Sequence, residues 1–355
     1  VSIPEPTLSN PGALAAWLDT VGLGVGAPLE SKFLSGGSQN EIFEITRGDL
    51  RAVLRIPPAG ANAERDAGIV REYRIIEGLD GTDVPHTEAI GLCEDKSVLG
   101  RTFYLMGFVD GWSPMGLKPG PDGGPRLWPE PFNSDIEARR GLSFQLIEGI
   151  ALLSKVDWKA RGLSGLGRPD GFHERQVDRW TAFLNRIKGR ELEGFEEASA
   201  WLRAHKPLDY IPGIMHGDYQ FANVMFEHGG PARLAALVDW EMGTVGDPKL
   251  DLGWVMNSWP EDTSGGDGSV GGYVDLTGMP SRTEMLEHYS KVSGRQVDDI
   301  DYYNILARWK LGVVLEQTYQ RAGHTEKGAA FGPIVVDLLR SAADLAATTD
   351  YKYTG

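Results

Sequence analysis

The sequence predicts an α+β protein of two lobes: a small antiparallel-sheet lobe over residues 1–110 and a mainly helical lobe over 111–355. Three observations predict it. Short alternating apolar runs cut by glycine and proline turns fill the first lobe, with a single long helical pattern among them. Residues 112–133 are rich in Gly and Pro and carry little periodicity. Beyond them, apolar residues recur mostly at helical spacing.

The elements follow in order. Asn10 before Pro11 starts a helix reaching about residue 21, the asparagine as cap and the proline in the first helical position. A strand over 29–34 leads into Ser35-Gly36-Gly37-Ser38-Gln39-Asn40, and a second covers 41–47. Gly48-Asp49 turns the chain into a third strand over 50–56, which Pro57-Pro58 ends. A helix over 61–79 and strands over 88–93 and 102–108 complete the first lobe. The 112–133 excursion reads as a long loop that could wall a substrate entrance. Leu142, Leu146, Ile150 and Leu153 mark a helix over 135–156. Further helices are expected over 174–188, 193–205, 248–257, 282–293, 299–322 and 333–347. Short strands over 214–216, 224–226 and 234–239 interrupt them, and 261–280 is a second Gly-rich loop. Protein-kinase-like folds have this order.

Composition sets outer bounds. Hydrophobic residues make up 41% and charged ones 24%, as in an ordinary globular enzyme. Thirty-five basic residues against 50 acidic ones give a net charge of −15, which argues against wholesale binding to nucleic acid or anionic membrane. The same balance leans, weakly, towards a cationic substrate. The single cysteine, Cys93, excludes an intrachain disulfide and a cysteine-based zinc site, and reads as a core residue. Neither a basic leader nor a run of ~20 apolar residues is found, so a cytoplasmic protein without a membrane span is expected.

The chemistry is concentrated in His216-Gly217-Asp218-Tyr219-Gln220-Phe221-Ala222-Asn223. An Asp with an Asn five residues on is the spacing of kinase catalytic loops: the Asp orients the attacking hydroxyl and accepts its proton, and the Asn turns back to hold Mg²⁺. An apolar strand then ends in Asp239, an oxygen ligand suited to the same metal. His216 is expected to brace the loop. Singly, each residue has a bland reading as a turn or cap; the ordered set does not.

With Met215-His216-Gly217-Asp218 through Asn223, then Val238-Asp239-Trp240-Glu241-Met242-Gly243 through Gly246-Asp247-Pro248 and Asp251-Leu252-Gly253, the sequence resembles the aminoglycoside phosphotransferase and choline kinase-like family. It is most similar to the branch of mycobacterial aminoglycoside phosphotransferase homologues and the kinase-like domains found with acyl-CoA dehydrogenases. The resemblance runs from about residue 29 to about 345. It implies a protein-kinase-like fold, Asp218 as catalytic residue, Asn223 and Asp239 as metal ligands, and Glu241 orienting a metal-bound water. Asp247 and Asp251 read as structural, Asp247 capping the helix after Pro248. ATP, with GTP as the alternative, and Mg²⁺ are the implied cofactors.

On the nucleotide side, Gly36, Gly37 and Ser38 can lay backbone N–H groups against phosphate. The resemblance places a Lys on the third strand with a Glu partner on the next helix; here Arg55 and Glu72 stand there, and Arg is not interchangeable with Lys. Met106 and Phe108 lie where backbone would meet the purine. Trp254, Asn257, Trp259, Glu261, Asp262, Trp309 and Glu316 could line an acceptor pocket and cradle an amine, although Trp309 sits on an apolar helical face and suits the core. The expected function is phosphoryl transfer from ATP to a hydroxyl of a small molecule: an aminoglycoside, a choline-like alcohol or a hydroxylated lipid-metabolism intermediate. A nucleotide-binding pseudokinase is the alternative. A protein kinase is disfavoured, because only seven residues separate Asp239 from Asp247 and leave no room for an activation segment.

Overall fold

Asn10 Oδ1 accepts the backbone N–H of Ala13 at 3.1 Å and caps helix α1 (Pro11–Thr20), as the Asn-Pro start predicts. The computed structural model describes residues 6–36, 40–121, 124–187, 189–260 and 274–351. Strands β1 (Glu30–Gly36), β2 (Glu41–Arg47) and β3 (Leu50–Ile56) form an antiparallel meander. Helix α2 (Ala63–Leu79) follows, then β4 (Ala89–Cys93), the short helix α3 (Lys96–Leu99) and β5 (Phe103–Gly107). The sheet order is β1-β2-β3-β5-β4, antiparallel throughout. Successive side chains on β3 point to opposite faces. Leu54 therefore joins Leu14, Leu18, Phe43 and Phe103 in a core beneath α1, while Arg55 faces α2.

The remaining helices are α4 (Ile136–Leu153), α5 (Phe172–Ile187), α6 (Phe195–Ala204), α7 (Lys249–Ser258), α8 (Arg282–Ser293), α9 (Ile300–Ala322), α10 (Glu326–Ala329) and α11 (Phe331–Thr348). Helix α9 is the hub: Tyr302, Tyr303, Ile305, Leu306, Trp309 and Val313 are buried against α5, α6 and α11. Two short ribbons lie among these helices. Strand β6 (Gly213–Met215) pairs with β9 (Thr244–Gly246), and β7 (Val224–Phe226) pairs with β8 (Leu234–Leu237). The loop from β6 to β7 carries Asp218 and Asn223, and the loop from β8 to β9 carries Asp239. The nested pairing brings the two loops side by side, locked by Val238 N–H donating to Asn223 O at 3.0 Å.

Three departures have physical causes. Strand β8 stops at Leu237, short of the expected 239, because Asp239 adopts the left-handed region at φ 66° and ψ 66°. The 112–133 excursion is anchored by a buried aromatic cluster: Trp112 stacks on Phe226 and touches Trp128 and Phe132. Its anchors are irregularly spaced, which hides them from any periodicity test. Strand β9 and helices α3 and α10, at three or four residues, are too short to leave a pattern. Among the described residues no helix is long and apolar enough to cross a membrane.

Candidate active site

Asp218 sits half-buried at the turn after β6, and its carboxylate is held from both sides. Gln220 Nε2 donates to Oδ1 at 3.0 Å and Asn223 Nδ2 donates to Oδ2 at 3.0 Å. Asn223 Nδ2 also reaches the Asp218 carbonyl at 2.7 Å, so the loop closes on itself. Two donors leave an oriented carboxylate able to take a hydrogen bond from an incoming hydroxyl.

His216 joins the two loops. Its Nε2–H donates to Val238 O at 2.8 Å, and its Nδ1 lies 3.4 Å from the Asp218 backbone nitrogen. Beneath it, the buried Asp251 on α7 accepts the backbone N–H of His216 at 2.6 Å and of Gly217 at 2.9 Å. Gly217 has φ 85°, and a Cβ there would stand 2.5 Å from Met242 O, so the turn demands glycine.

Arg55 joins sheet to loops. Its Nε meets Glu72 Oε2 at 2.7 Å and its Nη2 meets Asp239 Oδ1 at 2.8 Å, while Tyr104 donates to Glu72 at 3.1 Å. Burial opposes the Arg55 charge, but Tyr104, Glu72 and Asp239 outweigh it and raise its pKa. Burial pushes the Glu72 carboxyl up to about 7, with Asp239 and Glu241 adding to the rise and Arg55 and Tyr104 resisting it. Partial loss of solvent, then the charge of Asp239, likewise lifts Glu241 above its ordinary value. A lysine ammonium cannot span both acids as the guanidinium fork does. Arg55→Lys is therefore expected to cost about 1–3 kcal/mol in urea denaturation; an unchanged midpoint would show that the bridge contributes nothing.

Asp247 is wholly buried. One oxygen accepts the Lys249 N–H at 3.1 Å at the start of α7, where Pro248 rather than Asp247 holds the cap position; the other takes His173 Nε2–H at 2.9 Å and the Tyr303 hydroxyl at 2.5 Å. Burial alone would raise its pKa, but these hydrogen bonds and the His173 and Lys249 charges hold it below the ordinary value. A carboxylate with a depressed folded pKa stabilises the protein above the ordinary carboxylate range and loses that contribution as pH falls through its folded pKa. Asp247→Asn should therefore lower the denaturation midpoint at pH 7, and the gap to wild type should narrow below about pH 4.

Gly36 ends β1 beside Glu41, whereas Gly37 and Ser38 lie outside the described residues. Met106 lies on β5 opposite Val53, and the Phe108 ring lies under the Arg51 guanidinium at 3.5 Å. The amine cradle is not assembled. Trp309 stacks on Phe195 in the core, Glu316 is buried against Arg190, and Asn257 accepts from Arg308. Trp259 is buried with its indole N–H on Pro280 O, and Trp254 faces the Lys310 ammonium at 5.2 Å. Glu261 and Asp262 lie outside the described residues. What the sequence reading missed is a basic cavity of about 980 Å³ lined by α2, α5, Gly217 and Lys310. Arg71 and Arg74 on α2, and Arg175 and Arg179 on α5, were the signal: like charges one turn apart.

The model of the phosphotransferase enzyme family (APH) matches residues 30–284. Acyl-CoA dehydrogenase family member 11 of Gallus gallus is 28% identical over 294 residues, which cover 81% of this chain and 36% of that protein. The chain thus spans about a third of that relative's length, and 43% of the Homo sapiens protein of the same name. A Ralstonia eutropha protein with a provisional aminoglycoside phosphotransferase name superposes with a TM-score of 0.78 at 27% identity, covering 96% of this chain and 98% of that one. A thermostable mutant of aminoglycoside phosphotransferase APH(4)-Ia, in complex with ADP and hygromycin B, gives a TM-score of 0.59 at 12% identity, covering 94% and 98%. The small antiparallel sheet and helical region are those of the protein-kinase-like fold.

Proposed function

We propose that the chain, which belongs to the phosphotransferase enzyme family, is a small-molecule kinase that transfers the γ-phosphate of ATP, with Mg²⁺, to a hydroxyl of its acceptor. The observation that carries the reading is the convergence of Asp218, Asn223 and Asp239 from two interlocked loops onto the side of the sheet where Arg55 and Glu72 pair. In this reading Asp218 is the catalytic residue. It accepts the hydrogen bond of the acceptor hydroxyl, aligns the oxygen for in-line attack and takes up the proton as the new O–P bond forms and the bond from the γ-phosphorus to the bridging oxygen breaks, releasing ADP.

The donor set fits a hard cation. Asn223 engages Asp218 through its amide nitrogen, leaving its oxygen as a ligand; Asp239 Oδ2 has no hydrogen-bond partner among the described residues. Among those residues no three His, Cys, Asp or Glu are grouped to hold a metal, so the remaining ligands would be phosphate oxygens and water, the pattern Mg²⁺ favours. When bound, the ion would offset the negative charge of the phosphates. Arg55 would face the α and β phosphates while holding Asp239, and Glu72 and Tyr104 keep Arg55 in place. His216 and Asp251 position the loop without touching substrate.

Motif and fold specify the phosphate chemistry and leave the acceptor open. Aminoglycosides, choline-like alcohols and hydroxylated lipid-metabolism intermediates are the classes to test, the last suggested by the acyl-CoA dehydrogenase relatives. One observation favours a second reading: the Arg55–Asp239 bond occupies an oxygen of the proposed metal ligand, as a nucleotide-binding pseudokinase could tolerate. Calorimetry with ATP, GTP and Mg²⁺, followed by turnover across hydroxyl acceptors, separates the two. Turnover supports the kinase; binding without turnover on any acceptor supports the pseudokinase; no nucleotide binding defeats both.

A further inference from the structure

Resting on the phosphotransferase reading, we propose that the cavity walled by Arg71, Arg74, Arg168, Arg175, Arg179 and Lys310 binds an anionic group of the acceptor, so that the molecule phosphorylated here already carries a phosphate or comparable polyanion. The cavity, about 980 Å³, lies within the size range of small-molecule sites. Gly217 and Glu241 form part of its wall, which sets it against the catalytic loop next to Asp218. Gly36, Arg55, Asn223 and Asp239 do not line it, and Glu241, two residues beyond Asp239, is where it approaches the side assigned to the metal.

Its cations outnumber its acids. Glu64 and Glu241 are the acids in the wall, yet none of the six cations makes an ion pair among the described residues. The hydrogen-bond partners of Arg71, Arg74 and Arg175 are neutral backbone carbonyls: Gly243 for Arg71, Gly162 for Arg74, Asp170 and Arg168 for Arg175. Arg71 feels its neighbours: burial first, then the charges of Arg179 and Arg74, lowers its pKa. Lys310 is only 8% exposed and has no hydrogen-bond acceptor among the described residues. Its ammonium lies over Trp180 at 5.3 Å and Trp254 at 5.2 Å. Burial and Arg179 work against its charge, whereas Asp251 and Asp218 sustain it.

Like charges gathered around one cavity repel, more weakly where they are exposed as Arg74, Arg168, Arg175 and Arg179 are, and an anion bound among them offsets that repulsion. The Lys310 side chain is buried along its stem and lines the cavity, where an anion would offset what burial costs its charge. Guanidinium forks match the oxygens of phosphate and carboxylate, which makes several of them around one cavity an anion site. That such a cluster forms in a chain with 50 acidic and 35 basic residues sets it apart from a generally basic surface. A cationic aminoglycoside would be repelled from it.

The test uses the full chain saturated with ADP and Mg²⁺, so that the nucleotide site is filled, titrated with inorganic pyrophosphate by calorimetry. Binding is expected, weakening about ten-fold in the exposed-position variant Arg175→Gln/Arg179→Gln and also in Lys310→Met. ATP affinity should hold in both. In turnover, ribose 5-phosphate and glycerol 3-phosphate should outperform ribose and glycerol. Their KM should rise about ten-fold in the arginine variant, more than kcat falls, and should also rise with added salt. Absence of pyrophosphate binding, or equal binding by wild type and the folded arginine variant, would overturn the proposal. So would transfer to kanamycin or unphosphorylated alcohols alone, which leaves the phosphotransferase reading intact. Failure to bind ATP at all would instead overturn that reading, and this proposal with it.

Discussion

Asp218→Asn is expected to lower kcat by about 10²–10⁴-fold, the usual contribution of a positioned general base, while nucleotide affinity holds. The change is nearly isosteric. The amide keeps one oxygen for Gln220 or Asn223, and the loop is still held by Asp251 beneath His216 and Gly217. What it removes is the second acceptor and the basicity that draws the hydroxyl proton. The loss corresponds to about 2.7–5.5 kcal/mol of barrier. It should fall on kcat and kcat/KM equally, because the interaction matters only as the hydroxyl attacks. An effect confined to KM would make Asp218 a binding residue, and wild-type turnover would place the chemistry elsewhere.

How far the sequence foretold this site depends on how local each signal was. Asp218 and Asn223 lie in one loop, and Asp239 ends the next apolar run, so spacing alone grouped them. The Arg55–Glu72 pair was legible because β3 and α2 are adjacent in the chain, and strand alternation turns Arg55 away from the core containing Leu54. The reach of Arg55 to Asp239 was not legible; it crosses 184 residues and depends on the angle between sheet and loops. The amine cradle failed for a related reason. Trp309 and Glu316 are core and ion-pair residues of α9, and aromatic content cannot distinguish a pocket wall from a helix interface. Average charge was silent on a further feature. A net charge of −15 leans towards a cationic ligand, yet α2, α5 and α9 bring five cations, with Arg168 from the segment before α5 as a sixth, to one cavity beside the Asp218 loop. Mean charge carries no information about clustering, whereas the one-turn spacing of Arg175 and Arg179 did.

Asp251→Ala is expected to destabilise the protein by about 2–5 kcal/mol, since it orphans two buried backbone donors at once. The carboxylate projects from the first turn of α7 and takes the His216 and Gly217 N–H groups on separate oxygens. No neighbouring rearrangement can easily replace it, because Gly217 is fixed at φ 85° with Met242 O against its Cα. Burial raises the Asp251 pKa, while His216, the two N–H groups and Lys310 oppose the rise. Removing the carboxylate therefore also takes from Lys310 part of what sustains its buried charge. Two consequences distinguish this positioning role from mere packing. At temperatures where the variant remains folded, kcat should still fall, because the turn carrying Asp218 is no longer pinned. Further, Asp251→Ala and Lys310→Met should be non-additive by more than about 0.5 kcal/mol in a double-mutant cycle of denaturation free energies. Additive losses would mean that the buried lysine and the loop brace act independently, and that the basic cavity is not coupled to the catalytic turn through Asp251.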